Sequence, residues 1–325
     1  MPIQVLLKRT PGGTPGAADF TLRTTDVTAP AAGELACETL FLSLDPRMRG
    51  RISGRHLAGP IAPDELMAGE TVCRVLDSRS DAFDAGDIVT AHAGWHTHPV
   101  IPAANARPVD PRLRPASLAL GIAGMPGLTA WAGVTRLIAT FVVSSAAGPV
   151  GSLVGQLARL RGARVTGIAG SAGKCAWLVR EAGFADAIDD RAEPLGAGLD
   201  RCCPDGVDRY FDNVGADVPQ AVMERLAIGA EVVLCGLMAQ YNSTRPPPGP
   251  NPALVIRARA TVRGLVVYVH EDLRWAMVNA VTDGITRGAI AWREGVSEGI
   301  ESATGAFARR MRGETFGKVI VRVAA

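Results

Sequence analysis

Phe141-Val-Val-Ser-Ser-Ala-Ala-Gly-Pro-Val-Gly-Ser-Leu-Val-Gly-Gln156 is the segment that decides the fold of this chain. An apolar run over residues 141–143 leads into the small residues Ala146, Gly148 and Gly151, and an apolar-periodic stretch follows. This order predicts a buried strand, a tight turn and a helix. It also matches the dinucleotide-binding pattern, with Ala146 in place of the first glycine.

The glycines of this segment have a physical role in binding a pyrophosphate. Gly148 lets backbone N–H groups approach the phosphates, whose charge the helix N-terminus stabilises. Gly151 and Gly155 allow the helix to lie close to the strand, and Pro149 fits the first helical turn because no N–H partner is needed there. Small residues also serve ordinary helix–strand packing, but the strand before the turn and the helix after it favour a nucleotide cofactor.

The composition is typical of a globular enzyme. The length of 325 residues predicts two domains. With 47% hydrophobic residues, 20% charged residues and a net charge of +2, neither a nucleic-acid partner nor a membrane-surface partner is indicated. The first residues lack the features of an export signal, and no apolar stretch reaches the about 18 residues of a membrane span, so we expect a cytoplasmic protein. The six cysteines have no CxxC spacing and are expected to be free thiols.

The chain divides into a β-rich part and a part in which strands and helices alternate. We predict an α/β fold with a β-rich domain over residues 1–122, a doubly wound Rossmann domain over residues 123–289, and a segment 290–325 that returns to the first domain. The predicted strands of the second domain are 141–146, 164–169, 207–211, 231–235 and 262–267. The predicted helices are 151–160, 173–181, 218–227, the segment after 251, 271–287 and 300–311, and a last strand covers 318–323.

The end of the second Rossmann strand, Gly167-Ile-Ala-Gly-Ser171, indicates which cofactor binds. In NAD-binding proteins, an acidic residue here accepts hydrogen bonds from the ribose hydroxyls. This chain has Gly170 and Ser171 instead, followed by Lys174, and a hydroxyl and a cation suit the 2′-phosphate of NADP. Lys174 could instead be a solvated residue of the next helix, but the pattern favours NADP over NAD.

Several further strings stand in order along the chain and resemble one family. They are Phe41-Leu-Ser-Leu-Asp-Pro-Arg-Met-Arg-Gly50, Gly124-Met-Pro-Gly-Leu-Thr-Ala130, Tyr210-Phe-Asp-Asn-Val-Gly215, Cys235-Gly236 with Tyr241-Asn242, Pro246-Pro-Pro-Gly-Pro250, and Gly313 to Lys318. Over essentially the whole chain, they resemble the zinc-independent medium-chain reductases, in particular prostaglandin (leukotriene) reductases, plant double-bond reductases and bacterial curcumin reductases. The resemblance implies a GroES-like β domain, a Rossmann domain with NADP in the cleft, and NADPH-dependent reduction of a carbon–carbon double bond conjugated to a carbonyl.

The same resemblance implies a set of cofactor contacts. The pyrophosphate turn corresponds to Gly148, Pro149, Val150, Gly151 and Ser152, and the 2′-phosphate site to Gly170, Ser171 and Lys174. The nicotinamide half corresponds to Asn213, Cys235, Gly236, Leu237 and Tyr241, and the carboxamide to a strand containing Leu265, Val266 and Val267. Each of these residues could instead serve only to form a turn or to end a strand. This alternative is strongest for Asn213, because Asn favours turns.

Four features depart from the family pattern. Asp190 stands where many relatives have a tyrosine near the 2′-phosphate, which a carboxylate would repel. Thr315 replaces an asparagine that often reaches the cofactor. Arg47 replaces the tyrosine of the Asp-Pro-Tyr-Met-Arg motif, which could adapt the substrate entrance to anionic groups. The connection 133–140 is several residues shorter than usual.

No metal site is predicted. The early strand end, Leu42-Ser-Leu-Asp-Pro46, lacks the Cys and His ligands of the zinc alcohol dehydrogenases, and no cluster of four cysteines exists. His92, His96 and His98 form one metal-like string, since His96 and His98 would share a strand face, but packed or solvated histidines are commoner. Without zinc, alcohol oxidation is disfavoured, whereas enone reduction needs only hydrogen-bond donors to the enolate.

Tyr241 is the predicted catalytic residue. It follows the fifth strand, at the carboxyl edge of the sheet where ligands bind. Its phenol could stabilise an enolate oxygen or supply a proton to the α-carbon. The alternative is a tyrosine that packs the proline-rich loop, and Tyr268 is a second candidate donor. Arg47, Trp95, Met125 and Tyr268 are predicted to lie at the substrate pocket.

Three functions remain open from the sequence. The first is an NADPH-dependent enone or alkenal reductase, and the second is an NADPH quinone reductase, which delivers the hydride to a quinone. The third is a non-catalytic NADP-binding sensor or scaffold. Tyr241 and the intact glycine turn favour an enzyme with a small-molecule substrate, and we expect it to be a homodimer.

Overall fold

The computed structural model describes residues 1–134, 140–243, 245 and 247–324. Residues 135–139 of the short connection and Pro246 of the proline-rich loop lie outside this described part. The chain forms two units, one of Met1–Gly121 with Glu294–Ala325 and one of Ile122–Arg293. Within the described ranges, no helix combines the length and the apolar character needed to cross a membrane.

The N-terminal part of the first unit consists mainly of antiparallel strands. In chain order, its elements are β1 (Ile3–Leu7), β2 (Phe20–Thr24), β3 (Glu34–Ser43), α1 (Arg47–Ile52), β4 (Thr71–Ser78), β5 (Ile88–Ala91), β6 (Val100–Pro102) and β7 (Arg107–Pro108). Along much of β3, buried residues alternate with half-buried ones, the period expected for a strand with one face in a core.

The second unit alternates helices and strands. Its elements are α2 (Met125–Gly133), β8 (Thr140–Val143), α3 (Pro149–Leu160), β9 (Arg164–Ala169), α4 (Ala172–Arg180), β10 (Asp186–Asp189), α5 (Leu195–Cys202), β11 (Val207–Asp212), α6 (Asp217–Met223), β12 (Leu226–Leu234), α7 (Ala253–Ala258), β13 (Thr261–Gly264) and α8 (Arg274–Thr286). The strands are parallel, in the order β10-β9-β8-β11-β12-β13. The strand order therefore reverses between β8 and β11, which is the point where doubly wound sheets bind ligands.

The last segment of the chain rejoins the first unit. It contains β14 (Glu294–Glu298), α9 (Ala303–Met311) and β15 (Lys318–Arg322). β15 pairs antiparallel with β3 and parallel with β14, so the sheet of the described residues runs β14-β15-β3-β4-β5-β7, with β6 also on β3. In the core of this unit, the ring of Trp95 stacks on Phe20 and meets Phe307 edge-on, each at a centroid distance of 5.8 Å.

The expected α/β class, a β-rich domain joined to a parallel Rossmann sheet, is confirmed. The elements that the sequence pattern does not predict include β10, α5 and β14. β10 is short and only Ile188 of its four residues is buried, so its pairing with β9 rather than its own pattern makes it a strand. The prediction of a strand through Val267 is wrong, because β13 ends at Gly264 and a 3-10 turn begins at Val267.

Candidate functional site

The turn between β8 and α3 brings the helix against the backbone of the strand end. Ser145 adopts a positive φ of 47°, and the N–H of Gly148 donates to the Ser145 carbonyl at 3.0 Å. A Cβ on Gly151 would lie 2.6 Å from the Ser145 carbonyl oxygen and 2.9 Å from the Cα of Ala146. Both are backbone atoms that cannot rotate away, so this approach requires glycine at position 151.

The first turn of α3 supplies the groups that can hold an anion. Pro149 occupies the first helical position and has no N–H, while the N–H of Gly148 is already bonded within the turn. Ser152 is buried, and its N–H donates to the Gly148 carbonyl at 3.0 Å. The N–H groups of Val150 and Gly151 belong to the part of a helix that lacks intrahelical acceptors, so they are available to donate to an anion.

Asp212, at the end of β11, organises the neighbouring strand ends. Its carboxylate accepts hydrogen bonds from the hydroxyls of Tyr210 at 2.7 Å and Ser144 at 2.8 Å. It also accepts from the backbone N–H groups of Val214 and Gly215, each at 3.0 Å. Burial, reinforced by Asp212, raises the pKa of Tyr210 well above its usual value, so the phenol remains a donor. Sequence reasoning did not identify this network, because Ser144 and Asp212 are joined only by the pairing of β8 with β11.

Asn213 is held in one orientation by this network. Its backbone N–H donates to Ser144 Oγ at 2.8 Å, and its Nδ2 donates to the Ser144 carbonyl at 2.9 Å. This bond uses one of the two Nδ2 protons, so the second proton and the Oδ1 are the groups through which Asn213 could contact a ligand.

The loop after β12 lies directly on the end of β11. The N–H groups of Cys235 and Gly236 donate to the Asp212 carbonyl at 2.9 and 3.1 Å, and a Cβ on Gly236 would lie 3.1 Å from the carbonyl oxygen of Asn213. Burial and the nearby Asp212 raise the pKa of Cys235 to about 12, so its thiol is protonated at neutral pH. Leu237 is exposed. The structure thus brings Cys235, Gly236 and Leu237 together with Asn213.

Tyr241 ends a 3-10 turn, Met238–Gln240, on the same loop. Its side chain is half-buried, and its N–H donates to the Met238 carbonyl at 3.4 Å. The N–H of Ala239 donates to the Val214 carbonyl at 3.0 Å, which ties the loop to the turn after β11. Tyr241 therefore stands on a loop fixed at the carboxyl ends of β11 and β12.

The residues after β13 also follow a strand end. Leu265 is buried, and its N–H donates to the Leu234 carbonyl at 2.9 Å. Val266 is exposed, and both Val267 and Tyr268 belong to the 3-10 turn Val267–Val269, with Tyr268 exposed. Elsewhere in this unit, Met125 begins α2 and is half-buried.

The carboxyl ends of β9 and β10 meet at the predicted 2′-phosphate site. Ser171 caps α4, since its Oγ accepts a hydrogen bond from the Lys174 N–H at 3.3 Å. A Cβ on Gly170 would lie 2.9 Å from Nε of Arg191 and 3.2 Å from Oδ1 of Asp190. Sequence reasoning missed Arg191, although it directly follows Asp190.

Three predicted residues lie in the first unit. Arg47 begins α1 and is half-buried, and it adds to the effect of burial in lowering the pKa of His56. Trp95 has no exposed surface, so it belongs to the core of this unit and not to a surface that a substrate could reach. The Oγ1 of Thr315 is buried and has no hydrogen-bond partner among the described residues.

The early strand end does not fit a catalytic zinc ion. Asp45 there accepts hydrogen bonds from Ser43 Oγ at 2.5 Å and from the buried ammonium of Lys318. Burial and the neighbouring His98 lower the pKa of His96 to about 4. Over the described part of the chain, no group of three or more His, Cys, Asp or Glu side chains could hold a metal ion.

Comparisons with known proteins identify the class of protein to which this chain belongs. One family model, described as the N-terminal domain of oxidoreductase, matches residues 4–109, and another, described as zinc-binding dehydrogenase, matches residues 149–282. The fold and the site define a two-domain, NADP-dependent oxidoreductase of the medium-chain class.

Similar proteins identify the family within the medium-chain class. The chain is 34% identical to an NADPH-dependent curcumin reductase of Escherichia coli (98% of this chain, 96% of that protein) and 37% identical to prostaglandin reductase 1 of Bos taurus (95% of each). It is 33% identical to an NADP(+)-dependent 2-alkenal reductase of Nicotiana tabacum (98% of this chain, 97% of that protein). The crystal structure of CurA from Vibrio vulnificus in complex with NADPH superposes with a TM-score of 0.93 at 36% identity, over 99% of each chain. The chain therefore belongs to the zinc-independent medium-chain reductase family of curcumin and prostaglandin reductases.

Proposed function

We propose that the protein uses NADPH to reduce the carbon–carbon double bond of α,β-unsaturated ketones or aldehydes and leaves the carbonyl group intact. The observation that supports this proposal is the loop after β12, which carries Tyr241 and is hydrogen-bonded to the turn after β11. The relative named for 2-alkenals supports the same substrate class.

The residues of the second unit have distinct tasks in cofactor binding. The N–H groups of Val150 and Gly151 bind the pyrophosphate, and the ammonium of Lys174 binds the 2′-phosphate. Asn213, fixed through Ser144, contacts the nicotinamide half through its Oδ1 or its second Nδ2 proton. When bound, NADPH supplies a hydride.

Tyr241 acts on the charge that develops in the substrate. When hydride adds to the β-carbon, the electron pair of the double bond moves toward the carbonyl and the oxygen becomes an enolate oxygen. The hydroxyl of Tyr241 donates a hydrogen bond to that oxygen, or passes its proton to the α-carbon and is reprotonated from water. A donor of this kind lowers the barrier without a metal ion.

The variant Tyr241→Phe tests this role. We expect kcat for a 2-alkenal to fall about a hundredfold, as with other oxyanion donors, while the Kd of NADPH changes little. Tyr268→Phe is the comparison variant, because Tyr268 is the second candidate donor and lies on an exposed turn of the same unit. A fall in kcat in Tyr268→Phe but not in Tyr241→Phe would move the role to Tyr268. Unchanged kcat in Tyr241→Phe would overturn the assignment.

The alternative of an NADPH quinone reductase is tested with the same enzyme. We expect kcat/KM for 2-alkenals and enones to exceed that for 1,4-benzoquinones. A preference for quinones would replace the proposal by the alternative, and the absence of turnover with every substrate would favour a non-catalytic NADP-binding protein.

We also propose that the protein is a cytoplasmic homodimer that pairs through the β13 edge. In the described sheet β13 lies at the end of the strand order, and Val262, Val266, Val269 and Trp275 are exposed on or near it. An open edge with apolar side chains favours pairing with the same strand of a second copy. Light scattering should give twice the chain mass of 33.9 kDa, and a monomer mass would refute this pairing.

A further inference from the structure

The carboxyl end of β10 places an arginine side chain over the predicted 2′-phosphate site. β10 and β9 pair in register, with Asp189 opposite Ala169, so the residues that follow β10 lie beside Gly170. The backbone N–H of Arg191 donates to Asp189 Oδ1 at 3.1 Å, which fixes the backbone at this point. The Nε and Cδ of Arg191 lie 2.9 and 3.3 Å from the place that a Cβ of Gly170 would occupy. Position 170 thus has to be glycine for this arginine to keep its place.

The charges at this edge show why a second cation is needed. Two carboxylates, Asp189 and Asp190, belong to the edge, and the Lys174 ammonium acts on Asp190. Burial raises the pKa of Asp190, while Arg191 and Lys174 oppose that rise. With Lys174 alone the local charge would be negative and would repel a phosphate dianion. Arg191 brings the four charges to neutrality and adds a guanidinium, whose planar donors match phosphate oxygens.

We propose that Arg191 is a specificity-determining residue that binds the 2′-phosphate of NADP and compensates for Asp190. Lys174 contributes a point charge from the first turn of α4, and Arg191 contributes a planar set of N–H donors from the residues that follow β10. This assignment concerns the choice of cofactor and is independent of the proposed substrate and of Tyr241.

Direct binding measurements test the proposal without any turnover. Arg191→Gln should raise the Kd of NADPH about tenfold or more by calorimetry and leave the Kd of NADH almost unchanged, because NADH lacks the 2′-phosphate. The Kd of NADPH for Arg191→Lys should lie between those for Arg191→Gln and the wild type, since lysine keeps the charge but lacks the planar donors. Asp190→Asn should lower the Kd of NADPH and leave the Kd of NADH unchanged. Arg180→Gln is the matched control, because it removes one exposed cation from the last turn of α4.

Two results would overturn the proposal. The first is an Arg191→Gln variant that binds NADPH as the wild type does. The second is an equal loss of NADPH and NADH affinity, which would give Arg191 a structural role only. Failure of the reductase proposal would leave these binding constants unaffected, so the two failures are distinguishable.

Discussion

Replacing Gly151 with alanine would disturb the pyrophosphate turn at one defined point. The added Cβ would lie 2.6 Å from the carbonyl oxygen of Ser145, whereas ordinary contact begins at 3.4 Å. The start of α3 must therefore withdraw from the strand end by roughly 0.8 Å, because neither the Ser145 carbonyl nor the Ala146 backbone can rotate away. This movement would shift the N–H groups of Val150 and Gly151 away from the pyrophosphate that we propose they bind.

The magnitude follows from the bonds that are lost. A hydrogen bond to a charged group contributes about 1.5–3 kcal/mol, so losing one weakens cofactor binding about ten- to a hundredfold. NADPH and NADH share the pyrophosphate, and both dissociation constants should rise by the same factor. This equal loss separates Gly151→Ala from Arg191→Gln, whose effect is confined to NADPH.

Calorimetric titration with each cofactor is the assay. Gly305→Ala is the matched control, because Gly305 also lies within a helix, α9, and the nearest atom to its Cβ would be Arg309 Nη1 at 3.8 Å. The control should bind both cofactors like the wild type. A Gly151→Ala variant with wild-type affinity for NADPH would refute the reasoning, as would one that loses NADPH but not NADH.

Three further predictions concern stability and reactivity. Ala216 has a φ of 53° and a ψ of −128°, so Ala216→Gly should stabilise the fold by about 1 kcal/mol in urea denaturation, and a lower midpoint would contradict this. Because the pKa of Cys235 is raised to about 12, its thiol is protonated at pH 8, and iodoacetamide should leave the activity intact. If iodoacetamide inactivates the wild type but not Cys235→Ser, the thiol is reactive and the prediction is wrong. Lys318→Met leaves the buried Asp45 carboxylate without its cation and should lower the free energy of unfolding by about 3–5 kcal/mol. Adding Asp45→Asn to this variant should recover part of that loss, and no recovery would mean that the two residues are not coupled.

The parts of the fold that depend on local chemistry were predictable from the sequence. The strand before the glycine turn is a continuous apolar run because it is buried on both faces, and Pro149 and Gly151 mark the start of α3. β10 was not predictable, since Asp186 and Asp189 flank a single buried apolar residue and only the neighbouring β9 makes it a strand. Arg191 follows this strand, so its position beside Gly170 could not be foreseen either.

The candidate site likewise contains residues that the sequence could locate and residues that it could not. Lys174 and Tyr241 follow strand ends, and a strand end can be located from the pattern alone. The Asp212 carboxylate, in contrast, gathers Tyr210 and Ser144 from two strands that only the folded sheet brings together. Trp95 was expected at the substrate pocket, but Phe20 and Phe307 enclose it from distant parts of the chain.

The position of a transferred deuterium tests the central claim most directly. The purified protein would be incubated with a 2-alkenal and NADPH deuterated at nicotinamide C4, and the product analysed by NMR and mass spectrometry. Our account predicts a saturated aldehyde that carries deuterium on the β-carbon, because hydride adds there and the proton at the α-carbon comes from the enzyme or water. An allylic alcohol that carries deuterium on its carbinol carbon would contradict it.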